Sequence, residues 1–116
     1  LEVYETVGKT WTMAELMETG EQVYAQACQS CHQANGQGIP PAFPSLVGQG
    51  LAIGPVDAHI DIVVNGKAGS AMQAFAAQLN PAEIAAVVTY ERNAWGNNVG
   101  DLVQPRAVNA LISSEE

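Results

Sequence analysis

Both cysteines of this 116-residue chain stand in one run, Cys28-Gln29-Ser30-Cys31-His32, which also holds one of its two histidines. Such a run has four chemical uses. A disulfide between Cys28 and Cys31 would close a very small loop, with little entropic gain and considerable strain. A redox-active thiol pair belongs after a strand in a βαβ unit, and no such pattern surrounds these residues. Structural zinc needs about four ligands. Two cysteines and two histidines would supply them, but His59 stands alone, without the paired spacing of a zinc finger. The remaining use is covalent attachment of a c-type haem, for which C-x-x-C-H is the signature. Each thiol adds to a vinyl group as a thioether, and the adjacent histidine takes one axial position on the iron. A two-residue gap sets the thiols one helical turn apart, and the run lies where a helix ends. The haem reading is therefore preferred.

A haem bound from one side needs a ligand on the other. The candidates are Met13, Met17, Met72 and His59. Met13 and Met17 lie on the helix that leads into Cys28, too close in sequence to reach the far face. His59 sits in an apolar helical pattern and reads as an ordinary core or surface histidine. Met72 lies forty residues after His32, in an uncharged loop between Gly69 and Phe75. Methionine in a core is usually packing, but here the cofactor requires a ligand and the loop can present one. Met72 is the expected sixth ligand.

These groups need a scaffold, and the sequence points to helices. Thr12 and Glu15 form a capping-box pattern, and Leu16, Gly20, Val23, Tyr24 and Ala27 recur at helical spacing up to Cys28. Residues 33–56 carry five glycines and four prolines, which forbid a long helix or a central strand. So long an irregular segment usually wraps something or lines a site. Asp57 is expected to cap a short helix closed by Gly66. Asn80, Pro81 and Glu83 signal another helix start. Ile84, Val87, Val88, Glu91 and Trp95 follow at helical spacing, until Gly96 and Asn97 stop the helix. Residues 97–116 read as a partly packed tail, frayed at Glu115 and Glu116. The expectation is an all-α domain of three or four short helices, with residues 1–11 as linker or tail, 12–96 as the haem domain and 97–116 as a C-terminal extension. Trp95 reads as core over the last helix end; Arg92 is either a solvated arginine, the commoner case, or a contact to a haem propionate.

Composition narrows the function. Aromatic residues are only 6% of the chain, so side chains alone make a thin core that a large apolar cofactor would fill. A formal net charge of −8 argues against binding nucleic acid or an anionic lipid surface. No apolar run is long enough to span a bilayer, so direct membrane insertion by this chain is not expected. The first residue is not Met, which suggests a processed or excised piece. The charge is uneven: Glu2, Glu5, Glu15, Glu18 and Glu21 oppose only Lys9 in the first 21 residues, whereas 22–56 and 68–82 hold no Asp, Glu, Lys or Arg. The haem edge is thus expected to dock through a neutral patch.

From Thr12 to Trp95 the chain resembles the class I cytochromes c, through "CQSCH" and the methionine of "AMQAF". That resemblance implies the class I cytochrome c fold, one haem c held by Cys28 and Cys31, and iron ligation by His32 and Met72. It makes Gly20, Tyr24, Val87 and Tyr90 the contacts where the first and last helices cross. It also makes Pro44, in "FPSL", the residue whose carbonyl accepts a hydrogen bond from the proximal histidine, fixing its ring. With both axial positions filled, the expected role is electron transfer, with no catalysis by this domain alone. Thioether ligation and the apolar residues Ile39, Phe43, Leu46, Leu51 and Phe75 would raise the potential.

"HIDIVVNGKAGSAMQAFAAQLNPAEIAAVVTYERNAWGNN" with the following "GDLVQP" is similar, more narrowly, to the C-terminal haem domain of subunit II in caa3-type cytochrome c oxidases. That similarity implies a domain at the periplasmic face of the bacterial inner membrane. Electrons would come from a soluble cytochrome c or another small carrier and pass to the copper centre of the same subunit. Residues 1–10 would be the remnant of the connection. The alternatives are a freestanding periplasmic mono-haem cytochrome serving another respiratory enzyme, and a haem sensor or peroxidase-like enzyme whose methionine dissociates.

Overall fold

The computed structural model describes residues 9–39, 45–48, 50–67, 69–70 and 72–114, apart from the side chain of Leu51. Five α-helices follow in order: α1 (Met13–Ala27), α2 (Gln29–His32), α3 (Val56–Asn65), α4 (Pro81–Asn93) and α5 (Pro105–Ser114), with a 3₁₀ turn at Gly50–Ala52. The all-α expectation holds. The fifth helix exceeds the three or four expected, because the segment read as a tail folds onto α4 and α3.

Local chemistry sets two of the helix starts. Thr12 Oγ1 accepts from the Glu15 N–H at 3.1 Å, and the Thr12 N–H donates back to Glu15 Oε1 at 2.9 Å. Asn80 and Glu83 repeat this exchange at α4, with Pro81 in the first turn. Each pair satisfies two backbone donors that a helix start leaves open. Asp57 does not cap α3. That helix begins two residues earlier than such a cap would place it, at Val56, with Pro55 in the capping position and no side-chain cap. Asp57 sits instead in the first turn, where its charge favours the helix dipole.

The core is the crossing of α1 and α4. Leu16, Val23 and Tyr24 from α1 meet Ile84, Ala85, Ala86, Val87 and Val88 from α4, all of them buried. The crossing is close because Gly20 lacks a side chain. A Cβ there would lie 2.2 Å from the Ala86 carbonyl oxygen and 2.6 Å from Tyr90 Cβ. Tyr24, Tyr90 and Trp95 form a tilted-to-edge aromatic triad, with centroids 5.0 to 5.6 Å apart, a geometry aromatic quadrupoles favour. Trp95 stands at φ 55, just past the helix. α4 therefore ends at Asn93, with Ala94 as its C-cap, two residues short of the helical spacing read through Trp95.

The final segment is tied to the chain start. Gln104 accepts from the Trp11 N–H and donates to the Trp11 carbonyl, both at 2.9 Å, and Arg106 donates to Thr10 Oγ1 at 3.0 Å. Val108 and Pro105 of α5 are buried. Among the described residues, no helix is long and apolar enough to cross a membrane.

Candidate haem site

Cys28 ends α1 and begins α2. Its N–H donates to the Tyr24 carbonyl at 2.9 Å, closing α1, while its own carbonyl accepts from the N–H groups of Cys31 (3.2 Å) and His32 (3.0 Å). The two thiols thus lie one helical turn apart, with His32 on the last residue of that turn. Neither cysteine is bridged; Cys28 is buried and Cys31 half-buried. Burial pushes the Cys28 thiol well above its ordinary range. The Glu91 carboxylate, both as a nearby charge and as hydrogen-bond acceptor for the thiol proton, adds to the shift, as does Cys31.

The chain leaves His32 through a strained residue. Gln33 holds φ 68 and ψ 160, a region open almost solely to glycine and worth roughly 1–3 kcal/mol of strain. Several contacts hold it there. The Tyr24 hydroxyl donates to the Gln33 carbonyl at 2.5 Å, and the Gln33 N–H reaches the Gln29 carbonyl at 2.8 Å. The Gly38 N–H donates to the His32 carbonyl at 2.9 Å. Trp95 Nε1 donates to the Ala34 carbonyl at 2.9 Å. Asn97 Nδ2 donates to the carbonyls of Leu46 (2.9 Å) and Glu91 (2.7 Å), and its Oδ1 accepts from the Gly48 N–H at 2.7 Å. The stretch "NAWGNN" after α4 therefore clamps the described parts of the glycine-proline segment. Trp95 does more than cover a helix end.

Met72 is half-buried against the hydrophobic cluster to which Cys28, Val63, Val64 and Phe75 belong. Its backbone is pinned. The Met72 N–H donates to Ser70 Oγ at 3.2 Å, and its carbonyl accepts from the Lys67 N–H at 3.0 Å. Phe75 and Ala76 donate to the carbonyls of Val63 and Val64. The return is tight enough that Gly66, at φ 70, has no room for a side chain: a Cβ would lie 2.6 Å from the Met72 carbonyl oxygen. This loop is laid against the end of α3, not loose as its glycines suggest. Pro44 and Phe43 lie outside the described residues, and Ile39 is exposed.

His59 is committed elsewhere. It is 2% exposed; Nε2 lies 2.7 Å from Glu91 Oε1 and Nδ1 lies 3.3 Å from Arg92 Nη1. A guanidinium only donates, so Nδ1 accepts and Nε2 carries the proton given to Glu91. Both ring nitrogens are thereby occupied. Arg92 is not a solvated arginine: it is 2% exposed, bonded through Nε to Asp101 Oδ2 at 2.8 Å and through Nη2 to the Gly54 carbonyl at 2.6 Å. The sequence reads His59 as an ordinary core or surface histidine; its pairing with Glu91 and Arg92 is not in that reading. The available signal was two charged residues on an otherwise apolar helix, which must find partners when buried.

The described residues fit a c-type haem. Two unbridged thiols sit one turn apart beside an imidazole, and a thioether sulfur packs on the cluster that holds the first thiol. Among the described residues no three His, Cys, Asp or Glu side chains gather as a metal-ion site, which counts against the zinc reading.

Known proteins agree. A family model described as "Cytochrome C oxidase, cbb3-type, subunit III" matches residues 15–90. Cytochrome c-552 of Thermus thermophilus is 40% identical over 92 residues, covering 67% of this chain and 69% of its own length. A gluconate 2-dehydrogenase cytochrome c subunit of Pantoea cypripedii is 28% identical over 96% of this chain, which spans only 28% of that subunit. Among solved structures, a dihydro-heme d1 dehydrogenase, NirN, in complex with DHE superposes with a TM-score of 0.58 at 32% identity, covering 66% of this chain and 16% of that one. With most of its length matched by that model, the chain belongs to the cytochrome c family, as an electron-transfer domain whose cofactor is haem c.

Proposed function

We propose that Cys28 and Cys31 carry the haem as thioethers and that His32 and Met72 are its axial ligands, making this a one-electron carrier with both iron positions filled. The bound haem supplies an Fe(III)/Fe(II) couple; the chain supplies anchors, ligands and a dry surround. The observation that carries this reading is the engagement of both His59 ring nitrogens. It removes the other histidine as a ligand, while Met72 stands half-buried on the Cys28 cluster. Pro44 is the proposed acceptor for the His32 ring. A thioether ligand favours Fe(II) over a second imidazole, which suits a carrier of moderately high potential.

The finer proposal is that the domain belongs to subunit II of a caa3-type oxidase. It would take electrons from a small soluble carrier and hand them to the copper centre of the same subunit, at the periplasmic face. The support is "VVTYERNAWGNN", whose Trp95 and Asn97 clamp the segment after His32. Docking would use the uncharged loops, with Glu18 and Glu21 exposed on α1 to one side. Transfer to the copper partner should then change little with salt; a steep fall would contradict neutral docking. A freestanding carrier is favoured by a different observation, the match to cytochrome c-552 over 69% of that protein's length. The coding sequence upstream of Leu1 separates them. A transmembrane hairpin followed by a copper-binding β-sandwich supports the oxidase reading, and a signal peptide directly upstream supports the free carrier.

A further inference from the structure

Glu91 links the first cysteine to the buried ion network: its charge acts on the Cys28 thiol and its carboxylate pairs with His59. It is 4% exposed, near the C-terminal end of α4, a helix buried mainly through apolar residues. A carboxylate taken out of water must be paired and hydrogen-bonded. The Glu91 pairing is with His59 Nε2 at 2.7 Å on α3. Across the α1–α4 crossing it faces the Cys28 thiol and the Tyr24 ring, both of which feel its charge. Its neighbour Arg92 joins the same network from the other side of the His59 ring. Arg92 gives Nε and Nη2 to Asp101 and Nη1 to His59 Nδ1. The guanidinium thus orders the ring, and the ring presents its proton to Glu91. Of the charges acting on the Cys28 thiol, the carboxylate's is the largest.

We propose that Glu91 is a charge-setting positioning residue for electron transfer: its buried carboxylate, held by His59 against the Cys28 anchor, biases the bound iron toward the ferric state. This role rests on the reading that Cys28 carries the haem. Once the sulfur is alkylated it has no proton to donate, so the His59 N–H is the donor that holds the carboxylate in place. A negative charge in a low-dielectric interior stabilises the more positive Fe(III) form, and net charge and hydrogen bonding around the site are levers on its potential. Removing the charge raises the potential. The network therefore opposes the thioether ligand and trims the driving force between donor and acceptor.

The test is redox titration of purified holoprotein with Glu91→Gln, which keeps the shape of the side chain and its capacity to accept from His59. Covalent attachment is checked by haem retention after acid-solvent extraction, and ligation by the ferric and ferrous spectra. The expected result is attached, low-spin haem with the oxidised-to-reduced ratio at fixed ambient potential shifted about tenfold toward the reduced form, 59 mV for a one-electron couple. Glu91→Asp, which keeps the charge, should restore the wild-type ratio. A shift below about threefold, or in the opposite sense, with haem attached overturns the role of Glu91 and leaves the haem reading intact. Wild-type protein without covalent haem would overturn the haem reading itself. Should Glu91→Gln not fold, the oxidised-minus-reduced infrared spectrum of wild-type holoprotein decides. A carboxylate band that shifts on glutamate ¹³C labelling supports the role, and a flat carboxylate region overturns it.

Discussion

The α1–α4 crossing and the loops that leave α2 and α3 are built on different principles. The crossing is closed by packing: Gly20 admits the Ala86 carbonyl, and Leu16, Ile84, Ala85, Ala86, Val87 and Val88 are entirely buried. Dispersion and area burial hold it without help from polar groups. Among its described residues the loop side has few buried side chains of its own. The described residues after α2 are held by hydrogen bonds that reach across from α1 and from the segment after α4, through Tyr24, Trp95 and Asn97, and those after α3 by backbone bonds to the end of α3. Half-buried Leu46 and Met72 complete it. One region therefore has its fold in its own contacts, and the other borrows its shape from clamps and leaves apolar surface for a cofactor. The lesson is a division of labour: the tight crossing tolerates no extra atoms, and the clamped side holds reactive groups in place.

The largest expected effect breaks only the second region. Replacing both Cys28 and Cys31 with alanine should abolish covalent attachment, so that all haem passes into acidified organic solvent; retained haem would mean that other residues anchor it. Next in size, Gly20→Ala should break the first region. A Cβ at 2.2 Å from a backbone oxygen must push the helices apart, at a cost of about 3 kcal/mol, read by denaturant unfolding while the absorbance of the folded fraction stays unchanged. A loss below about 1 kcal/mol would show that the crossing is not closed by that contact.

Tyr24→Phe probes the seam between the regions. It keeps the ring in the aromatic triad but removes the hydroxyl from the Gln33 carbonyl, and should lower stability by about 1–2 kcal/mol. If strain at Gln33 is held by that bond, faster hydrogen exchange should be confined to the residues after His32. Exchange rising equally across α1 and α4 would instead place the hydroxyl's role in the crossing. The smallest effect is that of Thr12→Ala, which removes the α1 cap and should cost about 1 kcal/mol with no change in the haem spectrum.

The same contrast explains what could be read from the sequence. The capping boxes at Thr12 and Asn80 were legible because their partners lie three residues away. The Cys28–His32 turn was legible for the same reason. Asp57 misled because Pro55, with its fixed φ, already sets the start of α3 and leaves no room for a later cap. The network of His59, Glu91, Arg92 and Asp101 was hidden. The bonds of His59 to Glu91 and Arg92 span 32 and 33 positions, and Glu91 and Arg92 look like ordinary polar positions until both helices are in place. The fifth helix was read as a tail because what stabilises it, Gln104 on Trp11 and Arg106 on Thr10, comes from the opposite end of the chain. Pro44 belongs to the stretch outside the described residues.

The central claim is that His32 and Met72 both ligate a covalently held iron. The most direct measurement compares ferric and ferrous absorption spectra of the wild-type holoprotein and Met72→Ala, with and without carbon monoxide. The wild type should be low-spin in both states, show the methionine-to-iron charge-transfer band when oxidised, and bind no carbon monoxide when reduced. Met72→Ala should lose that band, bind carbon monoxide and titrate at a lower potential. A wild-type iron that is high-spin at rest, or a Met72→Ala spectrum identical to the wild type, would contradict it.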